Sequence, residues 1–534
     1  MKADLTRNSF DPWKHFTRVL MQQGRVQLDA DWNEQASILL KYLQALAADL
    51  IGAHGGPSAD LGFQVANGNI GTDFALSPGH YYVDGILCEL GSVCPPVPIQ
   101  KAGSGSKNNQ FQIPSSSVTS FNKNKNKNYG QLVLLAADGQ SQLLLTTIQT
   151  VTAEGLVTVT ASDGSDVGNI LKAPSPRAYS DFITFLHQPD YPLPTGTNLA
   201  QGSHLIYLDV WERLITYVED DSIREVALNG AETAARSKLI CQVKEMPPFK
   251  PDAGADIITS DDLKDRLQPA NRGRLMARAK QTSTSTDPCV IAPDASYRGP
   301  ENQLYRIEIH TGYGEGLTPT FKWSRENGSV VFPIVNLATS TGGGANTSTV
   351  VLESLGRDER FGLTENDWVE IQDDDGALLN TAGNLLQVQS IDSANLTVTL
   401  SGVPSRTVDQ TKHPLLRRWD QTYGDPTQNG MQIGPDNAAL TMDGTWLSLE
   451  DGIQVQFQQP EPDYANLYRT GDYWLIPART ATGDIEWPTG ASGPLAVPPD
   501  GVDHHYAPLA IITAGAGIQV TSLYQQQFQP LATA

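Results

Sequence analysis

The stretch PTFKWSRENGSVVFPIV, residues 319–335, carries the strongest short hairpin signal of the chain. Asn327-Gly328 stands between two runs of β-branched and aromatic residues, and Asn-Gly favours the tight turns that join antiparallel strands. The stretch therefore predicts a β-hairpin. Similar apolar runs with turn residues recur elsewhere, for example around Asp84-Gly85 and Asp375-Gly376. This density of short strands and turns predicts a mainly β protein.

The overall composition is also typical of short strands joined by turns. The chain has 534 residues with 47 Gly and 34 Pro, and only 18% of its residues are charged. This length is too great for one ordinary core and predicts three to five domains. We expect several small β-sandwich or barrel-like domains behind one N-terminal helical segment.

The net charge of −22 argues against nucleic-acid and anionic-membrane binding, which require basic surfaces. The N-terminus lacks the apolar region of a signal peptide. The most apolar late stretch, APLAIITAGAGI, is about half as long as a membrane span. We therefore expect synthesis in the cytoplasm and no membrane insertion. The four cysteines, Cys88, Cys94, Cys241 and Cys289, form no CxxC pair and are interpreted as scattered buried thiols.

The N-terminal stretch FDPWKHFTRVLMQQGRVQLDADWNEQ, residues 10–35, ends in an acidic cluster. A calcium loop starting at Asp29 is excluded, because Glu34 stands where the loop needs Gly and Leu40 stands where it needs Glu. The cluster instead predicts a helix start with Asp31 as the cap, Glu34 completing a capping box and Asp29 as a rival cap. The helix should stop at Gly52. Upstream, Asp11 and Pro12 predict a short helical turn over residues 13–20.

Apolar residues recur along this helix at the spacing of a heptad seam. Leu40, Tyr42 and Ala47 widen the apolar face, which slightly favours packing on the helix's own domain over self-association. A terminal segment this small cannot bury such a surface alone. The residues predicted to dock it to a partner or to copies of itself are Phe10, Trp13, Phe16, Val19, Leu20, Trp32, Leu39, Leu43, Leu46 and Leu50.

Turn signals and composition divide the chain into successive segments. They are a helical docking segment (1–55), a small β unit (56–100), a polar linker (101–130), an inserted β module (131–175), a β-rich domain with a short helix (176–270), a linker (271–300), a β-sandwich-like domain (301–412) and a C-terminal β domain (413–534). Within them, Asp138-Gly139 and Glu154-Gly155 separate three predicted strands. Residues 204–220 predict a strand pair, and residues 232–238 predict a helix.

No catalytic motif of the common hydrolase, nucleotide-binding or zinc-protease types occurs. Asp503-His504-His505 is the best metal or acid–base candidate, but adjacent strand residues point to opposite faces. The same argument separates Asp209 from Glu212. The aspartates at 373–375 are interpreted as turn residues that form local hydrogen bonds. We predict no catalytic, cofactor-binding or metal residue, and no enzymatic activity.

Six motifs together resemble one family whose members are encoded among baseplate and tail genes of phage-tail-like contractile injection systems. They are the 10–35 stretch, YLDVWERLITYVED with the IREVALNGAETAARSKLICQVK that follows, FKWSRENGSVV, DWVEIQDDDG, LRRWDQ, and GDYWLIPAR with HHYAPLAII. The 10–35 stretch and GHYYVDGI are also similar to N-terminal regions of phage tail and baseplate-associated proteins. The module at 101–175 looks like an addition to the family pattern.

The resemblance implies a structural part of such a particle, baseplate-associated or tail-fibre-like and attached through its N-terminal segment. The implied partners are other baseplate or tail proteins, with a homotrimer as a further option. Assembly in the cytoplasm would give the protein an exit route without a signal peptide. One alternative is a tail appendage that binds a cell-surface glycan through exposed tryptophans, drawn from Trp211, Trp323, Trp368, Trp419, Trp446 and Trp474. The other is a polysaccharide-degrading tail enzyme, which requires paired carboxylates in a cleft.

Overall fold

The structure is a computed structural model that describes residues 1–58, 60–65, 73–91, 97–102, 109–118, 121, 131–135, 143–161, 171, 176–179, 183–194, 196–250, 257–279, 297–314, 318–340, 346–358, 360–460, 465–515 and 517–529. The chain divides into two compact units. The first comprises Met1–Leu39, Glu212–Lys238 and Pro269–Asp503, and the second comprises Leu40–Trp211, Leu239–Gln268 and His504–Ala534. Each unit therefore joins stretches that are distant in sequence.

The described part of the second unit is built mainly on three sheets. The first has the order β3-β2-β1-β31 and consists of β1 (His54–Pro57), β2 (Gly79–Val83), β3 (Ile86–Leu90) and β31 (Gln527–Phe528). The second has the order β4-β10-β7-β8-β9-β6-β5 and consists of β4 (Val97–Pro98), β5 (Gln100–Lys101), β6 (Gln110–Gln112), β7 (Gln131–Leu135), β8 (Leu143–Val151), β9 (Leu156–Ala161) and β10 (Arg177–Tyr179). The third has the order β12-β11-β29-β30 and consists of β11 (Gly202–Ile215), β12 (Arg236–Met246), β29 (His504–Ala514) and β30 (Ile518–Leu523).

The first unit contains a closed six-stranded barrel beside smaller sheets. The barrel has the order β16-β17-β20-β19-β18-β21 and consists of β16 (Val331–Ser340), β17 (Thr347–Leu352), β18 (Trp368–Gln372), β19 (Leu385–Asp392), β20 (Thr397–Ser401) and β21 (Leu415–Trp419). A five-stranded sheet has the order β22-β15-β14-β25-β26 and consists of β14 (Gln303–Thr311), β15 (Thr320–Ser324), β22 (Ala439–Leu440), β25 (Tyr473–Arg479) and β26 (Asp484–Ile485). The remaining strands are β13 (Leu275–Arg278), β23 (Leu447–Ser448) and β24 (Gln454–Phe457), which pair with one another, and the pair β27 (Thr489–Gly490) and β28 (Gly493–Pro494).

The helices are few and mostly short. In the part of the chain that the structure describes, the named α-helices are α1 (Asp29–Ile51), α2 (Ser260–Leu267) and α3 (Asp374–Leu378), and the named 3₁₀ turns are Pro12–Lys14, Ser115–Ser117, Phe185–His187, Asp221–Ile223, Val226–Leu228, Gln410–Lys412 and Pro426–Gln428. Helix α1 ends as predicted, because Gly52 adopts a left-handed φ of 98° and its N–H donates to the Ala48 carbonyl. The structure thus confirms a mainly β protein with an N-terminal helix and several sheets.

Alternation of apolar and polar residues explains the barrel. In β17 and β20 every second residue is buried, so that Val350, Leu352, Val398 and Leu400 face the barrel core. Thr349 and Val351 in β17, and Thr397 and Thr399 in β20, lie on the other face. β-Branched residues suit this half-buried, pleated surface, and the two-residue period assigns each side chain to one face.

Strand β15 is buried on both faces, in contrast to the barrel strands β17 and β20. Phe321 and Trp323 belong to an apolar core on one face. On the other face the Lys322 ammonium lies 2.6 Å from a Glu370 oxygen and 3.6 Å from a Glu308 oxygen. The first unit therefore encloses a charged layer, and its members must pair because an isolated buried charge is strongly unfavourable.

We expect this layer and the buried His310, on which its charges act, to make the first unit sensitive to acid in two pH ranges. Burial, and then the nearby Lys322, lower the pKa of His310 to about 4, so stability is lost as the pH falls from about 6.5 to about 4. Burial alone would raise the pKa of Glu370, but Lys322 and His310 together lower it to about 2. Stability from Glu370 is therefore lost as the pH falls from about 4.5 towards 2.

The check is the urea midpoint of wild type and His310→Gln, followed by tryptophan fluorescence across this pH range. The difference between the two proteins should change between about pH 6.5 and 4 and be constant below that. A difference that is independent of pH would contradict the assignment to His310.

The prediction of a β-hairpin around Asn327-Gly328 is wrong, although the turn at these two residues exists. Both residues have the positive φ values, 52° and 66°, that this dipeptide favours. The flanking strands do not pair, because β15 joins the five-stranded sheet and β16 joins the barrel. The buried Asn327 amide instead donates to the carbonyls of Met1 and Ala3, which adds a tertiary reason for the turn.

Other local predictions also require correction. Residues 204–220 form one long strand, β11, followed by a turn rather than a strand pair. The predicted helix at 232–238 is absent, and β12 starts at Arg236. The expected turn at Asp375-Gly376 is helix α3, which still connects the antiparallel strands β18 and β19. The three strands predicted after residue 130 are confirmed as β7, β8 and β9.

Some predictions fall on positions outside the described residues. They are much of the two linkers, namely 103–108, 119–120, 122–130 and 280–296, the Asp138-Gly139 turn, and the cysteines Cys94 and Cys289.

Candidate docking surface

Residues 11–28 form an arm that precedes helix α1. The Asp11 carboxylate accepts a hydrogen bond from the Trp13 N–H at 2.9 Å and caps a 3₁₀ turn with Pro12 at its first position. The cap is as predicted. The turn is shorter than the predicted 13–20, because His15 adopts a left-handed φ of 54° and ends it.

Polar contacts tie the start of the chain to the first turns of the helix. The Thr6 N–H and hydroxyl both donate to Asp29, and the Ser9 hydroxyl donates to Glu34 at 2.7 Å. Farther along the arm, the Val19 N–H donates to the Gln35 side chain at 2.8 Å. The arm is thereby held against the amino-terminal half of the helix.

The helix starts earlier than the predicted capping box. It begins at Asp29, and the Asp31 carboxylate accepts from the Leu28 N–H at 3.3 Å. Asp31 therefore occupies the third helical position and reaches back to the residue before the helix, which is one half of a capping box. Glu34 is used by Ser9 instead. The rival position, Asp29, is the first helical residue.

The apolar residues of the arm and helix are mostly exposed. Within the 23 residues of α1 only Ala30 and Ile38 are buried. Trp13 is 84% exposed and Leu43 is 63% exposed. Of the predicted docking residues, Phe10 and Val19 are half-buried, and the others are exposed: Trp13, Phe16, Leu20, Trp32, Leu39, Leu43, Leu46 and Leu50. We call these exposed residues the docking surface.

The expectation that the wide helix face packs on its own domain is wrong. Leu40 and Tyr42, which widen that face, are themselves more than half exposed. Exposed apolar residues missed by the sequence analysis extend the docking surface along the arm: Met21, Val26 and Leu28. Their apolar character was visible, but no periodicity marks them, because residues 15–28 form neither a regular helix nor a strand. Contiguous apolar exposure on this scale is typical of interaction sites.

The arm is also basic within an acidic protein. Lys14, Arg18 and Arg25 lie between Asp11 and Asp29, and no carboxylate side chain occurs among residues 12–28. The whole chain carries a net charge of −22. An apolar partner surface with an acidic rim would therefore complement the arm.

The best acid–base candidate forms a buried polar cluster in the second unit. The His504 ring nitrogen lies 2.6 Å from one Asp209 oxygen, and the Lys244 ammonium lies 2.6 Å from the other. Trp211 and Tyr506 stack beside the His504 ring. Burial would raise the pKa of Asp209, but the hydrogen bond and charge of His504 and the charge of Lys244 hold it below its ordinary value. The carboxylate is thus ionised and engaged on both oxygens.

His505 and Glu212 lie near this cluster in the sequence but point away from it, as the two-residue period of a strand predicts. His505 contacts Asp84 at 2.7 Å, away from the cluster around His504. Glu212 accepts from the Ser237 hydroxyl rather than joining Asp209. No cleft with paired free carboxylates is formed by these residues.

The aspartates at 373–375 hold local and tertiary contacts in the first unit. Asp373 caps helix α3 by accepting from the Gly376 N–H at 2.7 Å. Asp374 contacts Arg213 at 3.1 Å and His413 at 2.7 Å. In the described part of the chain, no group of three or more His, Cys, Asp and Glu side chains is arranged to hold a metal ion.

The tryptophans considered for a sugar-binding face are mainly core residues. Trp211, Trp323, Trp419 and Trp474 are buried, and Trp368 and Trp446 are half-buried. The exposed tryptophans Trp13 and Trp32 lie instead on the docking surface. The candidate surface for binding is therefore the N-terminal one.

The chain belongs to the family of unknown function DUF6519, which it matches over residues 1–105, 187–269 and 263–526. Most of the predicted addition at 101–175 falls in the unmatched stretch. No curated protein and no solved structure matches the chain. Among the described helices, none is long and apolar enough to cross a membrane.

Proposed function

We propose that this DUF6519 member is a non-enzymatic structural component of a phage-tail-like contractile injection particle, baseplate-associated or tail-fibre-like. The observation that carries the proposal is the docking surface, a run of exposed apolar residues at the N-terminus with no described partner in its own chain. The sequence resemblance to proteins encoded beside baseplate and tail genes supplies the kind of particle. The protein would be made in the cytoplasm, assembled there and carried at the particle periphery.

The partner we propose is another baseplate or tail protein with an apolar groove and an acidic rim. The apolar part of that groove would take the leucines of α1 and the aromatic residues of the arm. Acidic groups around it would face Lys14, Arg18 and Arg25. A homotrimer through the helix seam has less support, because the seam is flanked by few of the charges that set coiled-coil partners.

The proposal that the protein has no enzymatic activity is supported by the strongest acid–base candidate, because its side chains already bind one another. Asp209 and His504 lie in a buried cluster with Lys244, where their contacts hold strands together. The glycan-binding alternative has weaker support, because most tryptophans considered for it are buried.

The test is the double variant Leu43→Asp with Leu46→Asp in the full-length protein. Burying one leucine contributes roughly 2 kcal/mol, so we expect incorporation into purified particles to fall at least about tenfold. Incorporation is measured by quantitative mass spectrometry of the particles. Circular dichroism should remain unchanged, because both side chains are exposed.

The matched control is Val226→Asp with Leu228→Asp, which adds the same charges at exposed apolar residues outside the docking surface. The control should incorporate normally. Equal incorporation of both variants and wild type would refute docking through this surface. If light scattering shows that the Leu43→Asp, Leu46→Asp variant has lost a trimer while its incorporation is unchanged, the docking surface binds other copies of this chain. Point variants are preferable to deleting residues 1–52, because Lys2 lies 3.0 Å from Glu308 in the first unit.

A further inference from the structure

Two cysteines that are far apart in sequence meet in the second unit. Cys88 lies on β3 and Cys241 lies on β12, which belong to different sheets. Both side chains pack in the same apolar core, and Cys241 lies beside Glu89 and Leu90, which follow Cys88 on its strand. The Cys88 thiol also contacts the Ile86 carbonyl at 3.6 Å. Both are free thiols in the structure.

The two thiols differ in access. Cys88 is fully buried in the apolar core of the unit, whereas Cys241 packs at the margin of that core and is partly exposed. Cys241 also lines a cavity of about 280 Å³. Glu89, Gln188 and Asp190 supply polar groups to the same cavity. A small water-soluble reagent can therefore approach Cys241 but not Cys88.

We propose that Cys88 and Cys241 are a redox-active pair that forms an intramolecular disulfide on reaction with a low-molecular-weight disulfide such as oxidised glutathione. The bond would cross-link the sheet that contains β3 to the sheet that contains β12. This inference concerns the second unit alone and does not depend on the proposed function.

The access of the two thiols sets the order of the reaction. The Cys241 thiolate attacks the small disulfide, whose S–S bond breaks and releases one small thiol that takes up the proton lost by Cys241. The Cys88 sulfur then attacks the Cys241 sulfur of the mixed disulfide, and the second small thiol leaves with the proton of Cys88. Two protein thiols are oxidised and one small disulfide is reduced to two thiols.

The buried thiol is suited to the second step rather than the first. The neighbouring Cys241 thiol, and then burial, raise the pKa of Cys88 well above its ordinary value. The thiolate is the attacking species, so Cys88 reacts slowly with reagents in solution. Once a mixed disulfide forms on Cys241, the proximity of Cys88 compensates, because the attack is intramolecular.

A bond between residues 88 and 241 closes a long loop and restricts the unfolded chain. We expect oxidation to raise the melting temperature of the second unit by roughly 5–10 °C. Thiols persist in reducing compartments and disulfides persist in oxidising ones, so the cross-link would form when the protein meets an oxidising environment.

The experiment uses the full chain with Cys94→Ser and Cys289→Ser, so that only the proposed pair remains. The native protein is incubated with oxidised glutathione, denatured and alkylated, and intact masses are measured. We expect two alkylated thiols before oxidation, and afterwards none and no glutathione adduct. In this background Cys88→Ser should accumulate a stable glutathione adduct on Cys241, and Cys241→Ser should acquire none.

Alkylation of both thiols after oxidation would overturn the proposal. A persistent glutathione adduct on Cys241 while Cys88 is present would also overturn it, because the adduct would show that the Cys88 sulfur does not reach the Cys241 sulfur. Rapid adduct formation on Cys88 in Cys241→Ser would refute the assigned order of attack.

Discussion

Replacing Glu370 by alanine should lower the free energy of unfolding of the first unit by roughly 3–5 kcal/mol. The Glu370 carboxylate is fully buried and lies 2.6 Å from the Lys322 ammonium. It also accepts from the Trp419 indole N–H at 2.9 Å and from the Gly383 N–H at 2.8 Å. The variant removes these acceptors together and leaves the buried ammonium with Glu308 alone, at 3.6 Å.

The measurement is urea unfolding at neutral pH, followed by tryptophan fluorescence. The control is Glu486→Ala, which removes an ion pair with Arg479 of 3.0 Å at a glutamate that is 42% exposed. The control should cost no more than about 1 kcal/mol, because exposed ion pairs contribute little. If the two variants lose equal stability, the buried layer does not have the role assigned to it. Glu370→Gln should fall between them, because it keeps an acceptor but loses the charge.

Replacing Asp209 by alanine should destabilise the second unit by roughly 2–4 kcal/mol. Lys244 and His504 would both lose an ionised partner at 2.6 Å. The cost should be lower than at Glu370, because the Lys244 side chain is partly exposed and can be hydrated. The substitution also removes the hydrogen bond between Asp209 and the His504 imidazole, which stacks beside two aromatic rings.

The matched control is Asp84→Ala, which removes the partner of the adjacent His505 where both side chains are partly exposed. We expect a loss within about 1 kcal/mol for that variant. Urea unfolding of both proteins gives the comparison. If Asp209→Ala leaves the unfolding midpoint unchanged, the structural role is excluded, and the cluster becomes a candidate acid–base site again.

Local chemistry explains which parts of the fold were predictable. Asp11 with Pro12 and Gly52 act within a few residues of themselves, so their helix boundaries follow from the sequence. The turn at Asn327-Gly328 likewise exists, because Asn and Gly tolerate positive φ. Which strands flank that turn was not predictable, because a dipeptide cannot specify whether the next strand returns to the same sheet or enters a barrel. The hydrogen bonds of Asn327 to Met1 and Ala3 span more than 300 residues.

The candidate sites also combine features that the sequence predicted with features that only the tertiary structure decides. The apolar residues of the docking surface were predicted from composition and helical period, but their exposure depends on what the rest of the chain covers. The meeting of Cys88 with Cys241 and of Lys322 with Glu370 left no signal in spacing, because both pairs join strands of different sheets. The units themselves are assembled from separated stretches, whereas composition indicates only consecutive segments.

By itself, the sequence determined the mainly β character, the position of the N-terminal helix and the apolar identity of its face. These properties depend on backbone preferences and on periods of two and 3.6 residues, which act over short distances. The tertiary structure alone decided the order of strands in the barrel and sheets, which charges are buried in pairs, and which apolar face remains uncovered. Those outcomes depend on contacts between residues far apart in the chain, where partners are selected by the packing of whole sheets rather than by any local pattern.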